Sequence, residues 1–197
     1  MSLMTRIWLR MRRSARDLSG DTRGLAAVEF AMVVPLMLVL FFGTVEFSSG
    51  VAVDRKVTLV ARTLSDLTSQ NTSVTSTQLT NIFNASTSIM TPYSAADVNA
   101  RIVELYVDAN LTVRQIWSAT SGSAPPSGAV TVPDALKIAG TYLIYSEVSY
   151  KYKPAIGYVM AKGGIDLSDF TYTRPRQSLC VLNPPPVAGA AGSCPTT

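Results

Sequence analysis

The chain has 197 residues and a formal charge of +4, with no histidine and two cysteines. That length holds one membrane span and one modest domain, but not two full cores. The charge excess lies wholly in residues 1–24, where six arginines face two aspartates, while the remaining residues carry eleven basic and eleven acidic side chains. A nucleic-acid surface needs clustered basic groups on the folded part, so that class is excluded. The lack of histidine removes the commonest general base and metal ligand, and two cysteines fall short of a structural zinc set. No phosphate-cradling glycine loop or nucleophile elbow is present. Asp166 and Asp169 are three residues apart but beside a glycine turn, and read as exposed turn residues. The expectation is a non-enzyme with no cofactor, no metal and no small-molecule substrate.

Residues 1–24 form a basic leader holding Arg6, Arg10, Arg12, Arg13, Arg16 and Arg23. The apolar run Leu25–Val45 follows, 21 residues long. At 1.5 Å per residue it spans about 31 Å, close to a hydrocarbon core of about 30 Å. Positive flanks stay cytoplasmic, and the far flank opens with Glu46 and Asp54, so the N-terminus is expected inside and the C-terminus outside. Glu29 lies inside the run; a carboxylate at mid-bilayer costs roughly 2.5–3.5 kcal/mol, which asks for a partner or a function. Its nearness to the helix start leaves snorkelling to the headgroups as the plainer alternative. Pro35 removes one backbone hydrogen bond, which membrane helices accommodate as a kink. An ordinary cleaved signal peptide and an uncut signal anchor are alternatives; the run is long for a signal, and Phe47–Val53 still looks helical. Glu46 falls where the helix leaves the bilayer and reads as a solvated interfacial carboxylate.

Past the span, Val53, Val57, Val60, Leu64 and Leu67 recur at three- and four-residue spacing among charged residues. One helix from about Leu25 to about Ser69 is therefore predicted, apolar all round first and amphipathic afterwards. Residues 70–100 read as a polar linker with possible short helices. Residues 101–176 read as a β-rich domain. Its elements are a hairpin turning at Asp108-Ala109-Asn110, a Gly/Pro/Ser loop over 120–133, an alternating strand from Tyr142 to Lys153, and a last strand near Leu167–Arg174 after Lys162-Gly163-Gly164. Tyr142, Tyr145, Tyr150, Tyr152 and Tyr158 at strand spacing are expected in the core with wet edges. In the tail 177–197, Cys180 and Cys194 can close a 15-residue loop in an oxidising compartment, worth about 3 kcal/mol if unstrained; two free thiols are the alternative. The fold class is α+β: a long N-terminal helix on a small antiparallel sheet.

The residues Arg23-Gly24-Leu25-Ala26-Ala27-Val28-Glu29-Phe30, Pro35 six residues after the glutamate, and Gly43-Thr44-Val45-Glu46-Phe47 resemble the TadE-like domain of tight-adherence (Flp-type) pilus systems. A weaker echo appears in Tyr145–Tyr150 and in Thr171-Tyr172-Thr173-Arg174-Pro175-Arg176. The resemblance implies a pilin-like architecture and a pseudopilin or minor pilin. It further implies a prepilin peptidase that cuts between Gly24 and Leu25, and Glu29 as the assembly residue paired with the new α-amino group of a neighbouring subunit. A glycine before the cut lets extended backbone enter a tight site without a side-chain clash. The implied partners are the membrane, that peptidase, other pilins and inner-membrane assembly proteins. The implied location is a bacterial inner membrane with a periplasmic domain, or a surface pilus. An uncut single-pass scaffold and a surface adhesin are the competing readings.

Overall fold

The computed structural model describes residues 24–154, 164–186 and 192–195. The leader before Gly24, Tyr158, the Lys162-Gly163 pair and the 189–191 glycine–alanine run lie outside the described residues. The chain separates into two compact units, Met1–Val45 and Glu46–Thr197.

Helix α1 (Leu25–Ser69) runs through that boundary. In the first unit it is apolar on every side, with an 18-residue window of mean hydropathy 2.5 and none of it buried. By length and composition it is able to cross a membrane. Pro35 sits inside it, and the Thr44 hydroxyl donates to the Leu40 carbonyl at 2.8 Å, one turn back.

The second unit carries four antiparallel strands, β1 (Val98–Val107), β2 (Val113–Ser121), β3 (Thr141–Tyr152) and β4 (Ile165–Thr173), in the order β2-β1-β3-β4. The expected α+β class is the one adopted. The β1–β2 turn closes on Asp108, whose carboxylate accepts the backbone N–H groups of Asn110 and Thr112. β2 holds one residue more than β1 opposite Glu104 and Leu105, a bulge at Ile116. The bulge lets Ile116 and Trp117 both pack toward the same core. Asp166 and Asp169 belong to strand β4, not to a turn as expected.

One sheet face meets the lower half of α1. Val53, Val57, Val60 and Leu64, the predicted stripe, are fully buried there, and Leu67 is partly buried. Small residues allow a close approach: the Ser146 hydroxyl donates to the Ala61 carbonyl at 2.6 Å and Ser65 to the Ile144 carbonyl at 3.3 Å. Four helical residues rise about 6 Å and two strand residues about 6.6 Å, so helix and β3 stay in step between these contacts.

Residues 70–100 contribute more than a linker. Helix α2 (Ser76–Thr87) opens on a capping box: Thr75 Oγ1 accepts the Gln78 N–H, and Gln78 Oε1 accepts the Thr75 N–H. Leu79, Ile82 and Phe83, spaced i, i+3, i+4, join the helix-side core. Polar residues outnumber these three, which hides the helix in the composition. Lys56 ties the following turn to α1 through the carbonyls of Ile89 and Thr91.

The second sheet face is covered too, which alternation alone does not show. Val103, Leu105, Val107, Leu143 and Tyr145 pack with Val132 from the 120–133 loop. Arg101 pairs with Glu147 at 2.7 Å on this face, donates to the Gly128 carbonyl, and lies over the Tyr145 ring. Gly122 must be glycine: its φ is +101°, and a Cβ there would sit 2.7 Å from the Val98 carbonyl oxygen.

Candidate functional site

Gly24 leads into α1, and a Cβ placed on it would meet nothing within 4 Å. Leu25 is exposed, as is every residue from Gly24 to Val33. Glu29 is the single ionisable residue between Leu25 and Val45. Its carboxylate lies on the open helix surface among Leu25, Val28, Phe30, Met32 and Val33, all exposed. Further along, Gly43 and Glu46-Phe47 close the apolar stretch, and the core stripe begins at Val53. Residues 24–64 match the family model described as TadE-like protein. The segment is TadE-like. It ends at Leu64, one of the largest fully buried side chains of the domain. The TadE-like segment therefore contains both the apolar stretch and most of the helix surface on which the domain is built. No curated protein and no solved structure matches the chain.

Glu46 differs from its expected role. The Tyr152 hydroxyl donates to Glu46 Oε1 at 2.9 Å, and the Tyr152 ring passes 3.8 Å from where a Gly50 Cβ would be. Tyr93 meets Tyr152 edge-on, with ring centroids 6.5 Å apart. Burial, and then the hydrogen bond to Glu46, push the Tyr152 hydroxyl up to about 12, so it remains a neutral donor throughout the physiological range. The carboxylate is thus held by the sheet rather than left to solvent. Tyr152→Phe is expected to lower the domain's stability by about 1 kcal/mol in urea unfolding. An unchanged midpoint would mean water replaces the phenol at no cost.

The tail is fastened at several points. Arg176 donates its backbone N–H to the Ser69 carbonyl, the last of α1, and its guanidinium sits 2.6 Å from Asp66. A cation there suits the negative end of the helix. Val74 and Leu182 are joined by a backbone hydrogen bond, and the Leu182 N–H donates to the Thr72 carbonyl. Val181 is gripped on both backbone groups: its N–H donates to Glu104 Oε1 at 2.6 Å, and its carbonyl accepts the Trp117 indole N–H at 2.7 Å. Cys180, the preceding residue, is disulfide-bonded to Cys194 with Cα atoms 5.8 Å apart. The Tyr142 hydroxyl reaches the Pro195 carbonyl beyond the bridge.

Glu104 is the ionisable side chain that sequence reasoning missed. It is fully buried, and its Oε2 has no hydrogen-bond partner among the described residues. Burial raises its carboxyl to about 7, against the lowering effect of the Val181 N–H. A glutamate in the apolar run Ile102-Val103-Glu104-Leu105 is the signal that points to it.

The structure places Leu25 and Glu29 on successive turns of α1, with Gly24 directly before its first residue. Cys180 and Cys194 belong instead to the tail of the second unit. Among the described residues no group of three or more His, Cys, Asp or Glu is placed to hold a metal ion.

Proposed function

We propose that this chain is a membrane-anchored pseudopilin or minor pilin of a tight-adherence (Flp-type) pilus system, cut between Gly24 and Leu25 and assembled through α1. The observation that carries the reading is the TadE-like match over residues 24–64. It includes the apolar run Leu25–Val45, whose single charged residue is Glu29. The open surroundings of Gly24 add support, since no contact among the described residues requires a glycine there. A peptidase that accepts only a side-chain-free residue before the cut supplies a reason for it.

In this reading the arginine-rich leader stays cytoplasmic and the Glu46–Thr197 unit lies outside, in a periplasm that keeps Cys180 and Cys194 paired. After cleavage Leu25 carries the α-amino group, and Glu29 stands about 6 Å along the helix. In an apolar stack of helices, an amine from the neighbouring subunit neutralises that carboxylate and fixes axial register. The role is structural, in assembly.

Two measurements test it. The N-terminal residue and intact mass of the protein from its native membrane should show a start at Leu25; a start at Met1 or Ser2 leaves an uncut scaffold. Glu29→Val should abolish incorporation into assembled filaments while membrane insertion persists or improves. Normal piliation with Glu29→Val would defeat the pairing mechanism even if cleavage is found.

A further inference from the structure

At the end of the second unit that begins at Glu46, several side chains of one kind gather. Phe47 projects from α1 with 75% of its surface exposed. Tyr152 lies beside Glu46 and Gly50, and Tyr93 stands against Tyr152. Lys153 follows, exposed, and Arg55 is exposed on α1, lining a shallow groove with Phe47, Ser48, Val51 and Ala52. The strand ends set the direction: Val98 pairs with Tyr150 at this end of the sheet, whereas Val107, Thr141 and the 108–112 turn are at the other.

Chain continuity says what faces this end. The apolar run finishes at Val45, one residue before Glu46. The Tyr152 ring touches the helix between Glu46 and Gly50, no more than about 7 Å of helix beyond Val45. The polar layer of a bilayer is about 5–8 Å thick on each side of its hydrocarbon core. Tyr93 and Tyr152 there match the amphipathic aromatic belt of membrane–water interfaces, and Phe47 adds an exposed apolar ring. Arg55 starts farther out, about 15 Å of helix beyond Val45, but helical side chains tilt toward the N-terminus and its long stem lets the guanidinium reach back toward the phosphates.

We propose that this end of the domain is a lipid-headgroup surface, with Phe47, Tyr93 and Tyr152 at the level of the headgroups and Arg55 and Lys153 directed to their phosphates. The Glu46–Tyr152 hydrogen bond removes an obstacle to such a surface, because it provides the first carboxylate beyond the apolar run with a donor other than water. The proposal rests on the reading of Leu25–Val45 as a membrane span, and goes beyond it by fixing which end of the domain contacts lipid.

The test uses the full chain in vesicles of phosphatidylethanolamine and phosphatidylglycerol, with one nitroxide label at a time. Cys180 and Cys194 are paired, so a single introduced cysteine takes the label. Three sites are compared: Met37→Cys in the apolar run, Ser94→Cys beside Tyr93, and Asn110→Cys in the far turn. Collision with oxygen reports lipid, and collision with a water-soluble nickel chelate reports solvent. The label at 37 should be oxygen-dominated, and the label at 110 freely accessible to nickel. The label at 94 should show severalfold less nickel collision than that at 110. If 94 matches 110 while 37 stays in lipid, the span stands and the headgroup surface is overturned. If 37 is also open to nickel, the span reading fails and takes the proposal with it.

Discussion

Glu104→Gln is expected to make the protein more stable than its parent at pH 8 and to leave it nearly unchanged at pH 4. The folded carboxyl titrates at about 7, raised from an ordinary 4.5 chiefly by burial. Between those values the native state keeps a proton that the unfolded chain releases. Stability therefore falls as pH rises through this window and levels off above it. The window covers about 2.5 pH units, which sets the loss on the order of 3 kcal/mol. Glutamine keeps an oxygen for the Val181 N–H and carries no charge. Its amide nitrogen leaves a donor unsatisfied where Oε2 now has no partner, but the protonated acid leaves its O–H in the same position, so the two match at low pH. Paired urea titrations from pH 4 to 8 give the readout as the difference between the two curves, which cancels every other titrating group. Parallel curves would show that Glu104 is ionised in the fold or reached by water.

The consequence reaches the tail. Val181 is held by Glu104 on one side and Trp117 on the other, next to the Cys180–Cys194 bridge. Ionising Glu104 strengthens the hydrogen bond from Val181 but places an unsolvated charge in the core, and the second effect is the larger. A residue 77 positions away in sequence thus holds Val181 beside the Cys180–Cys194 bridge.

The long helix and its change of character were legible because both of its halves obey simple periodic rules. The run from Leu25 to Val45 needs only hydropathy and length; Val53, Val57, Val60 and Leu64 need only the 3.6-residue period. Each strand also announced itself, though β1 begins at Val98, earlier than the Ile102 that opens its apolar run. What stayed hidden depends on contacts distant in sequence. The burial of both sheet faces follows from the 120–133 loop folding over Val103 and Leu105, and a Gly/Pro/Ser composition does not reveal that. Glu46 looked solvated because its partner, Tyr152, is 106 residues away. Helix α2 was masked by its serines and threonines, although Thr75 and Gln78 spell a capping box once the start is known. In the TadE-like segment the order was reversed: Gly24, Leu25 and Glu29 stood out in the sequence while their surroundings in the fold are open, as befits residues whose proposed partners are other molecules.

Leu64→Ala is the core substitution expected to cost most, about 2–5 kcal/mol, because the side chain is fully buried and its neighbours cannot all collapse into the space. Set against a typical domain stability of about 5–15 kcal/mol, a loss of that size places a substantial fraction of molecules near unfolding. Leu59 provides the control on the same helix: half exposed, its alanine variant should stay within about 0.5 kcal/mol of the parent. Urea unfolding followed by tryptophan fluorescence reports the core, since Trp117 is buried in the cluster that contains Leu64. The pair of variants also separates the two jobs of the TadE-like segment. Leu64→Ala leaves residues 25–45 as apolar as before, so the chain should still enter membranes, and the proposed processing at Gly24 should be unaffected, while the domain beyond Glu46 becomes sensitive to protease. Equal losses for Leu64→Ala and Leu59→Ala would mean that α1 is held by its exposed side as well, and that the stripe from Val53 to Leu64 is not the principal contact between helix and sheet.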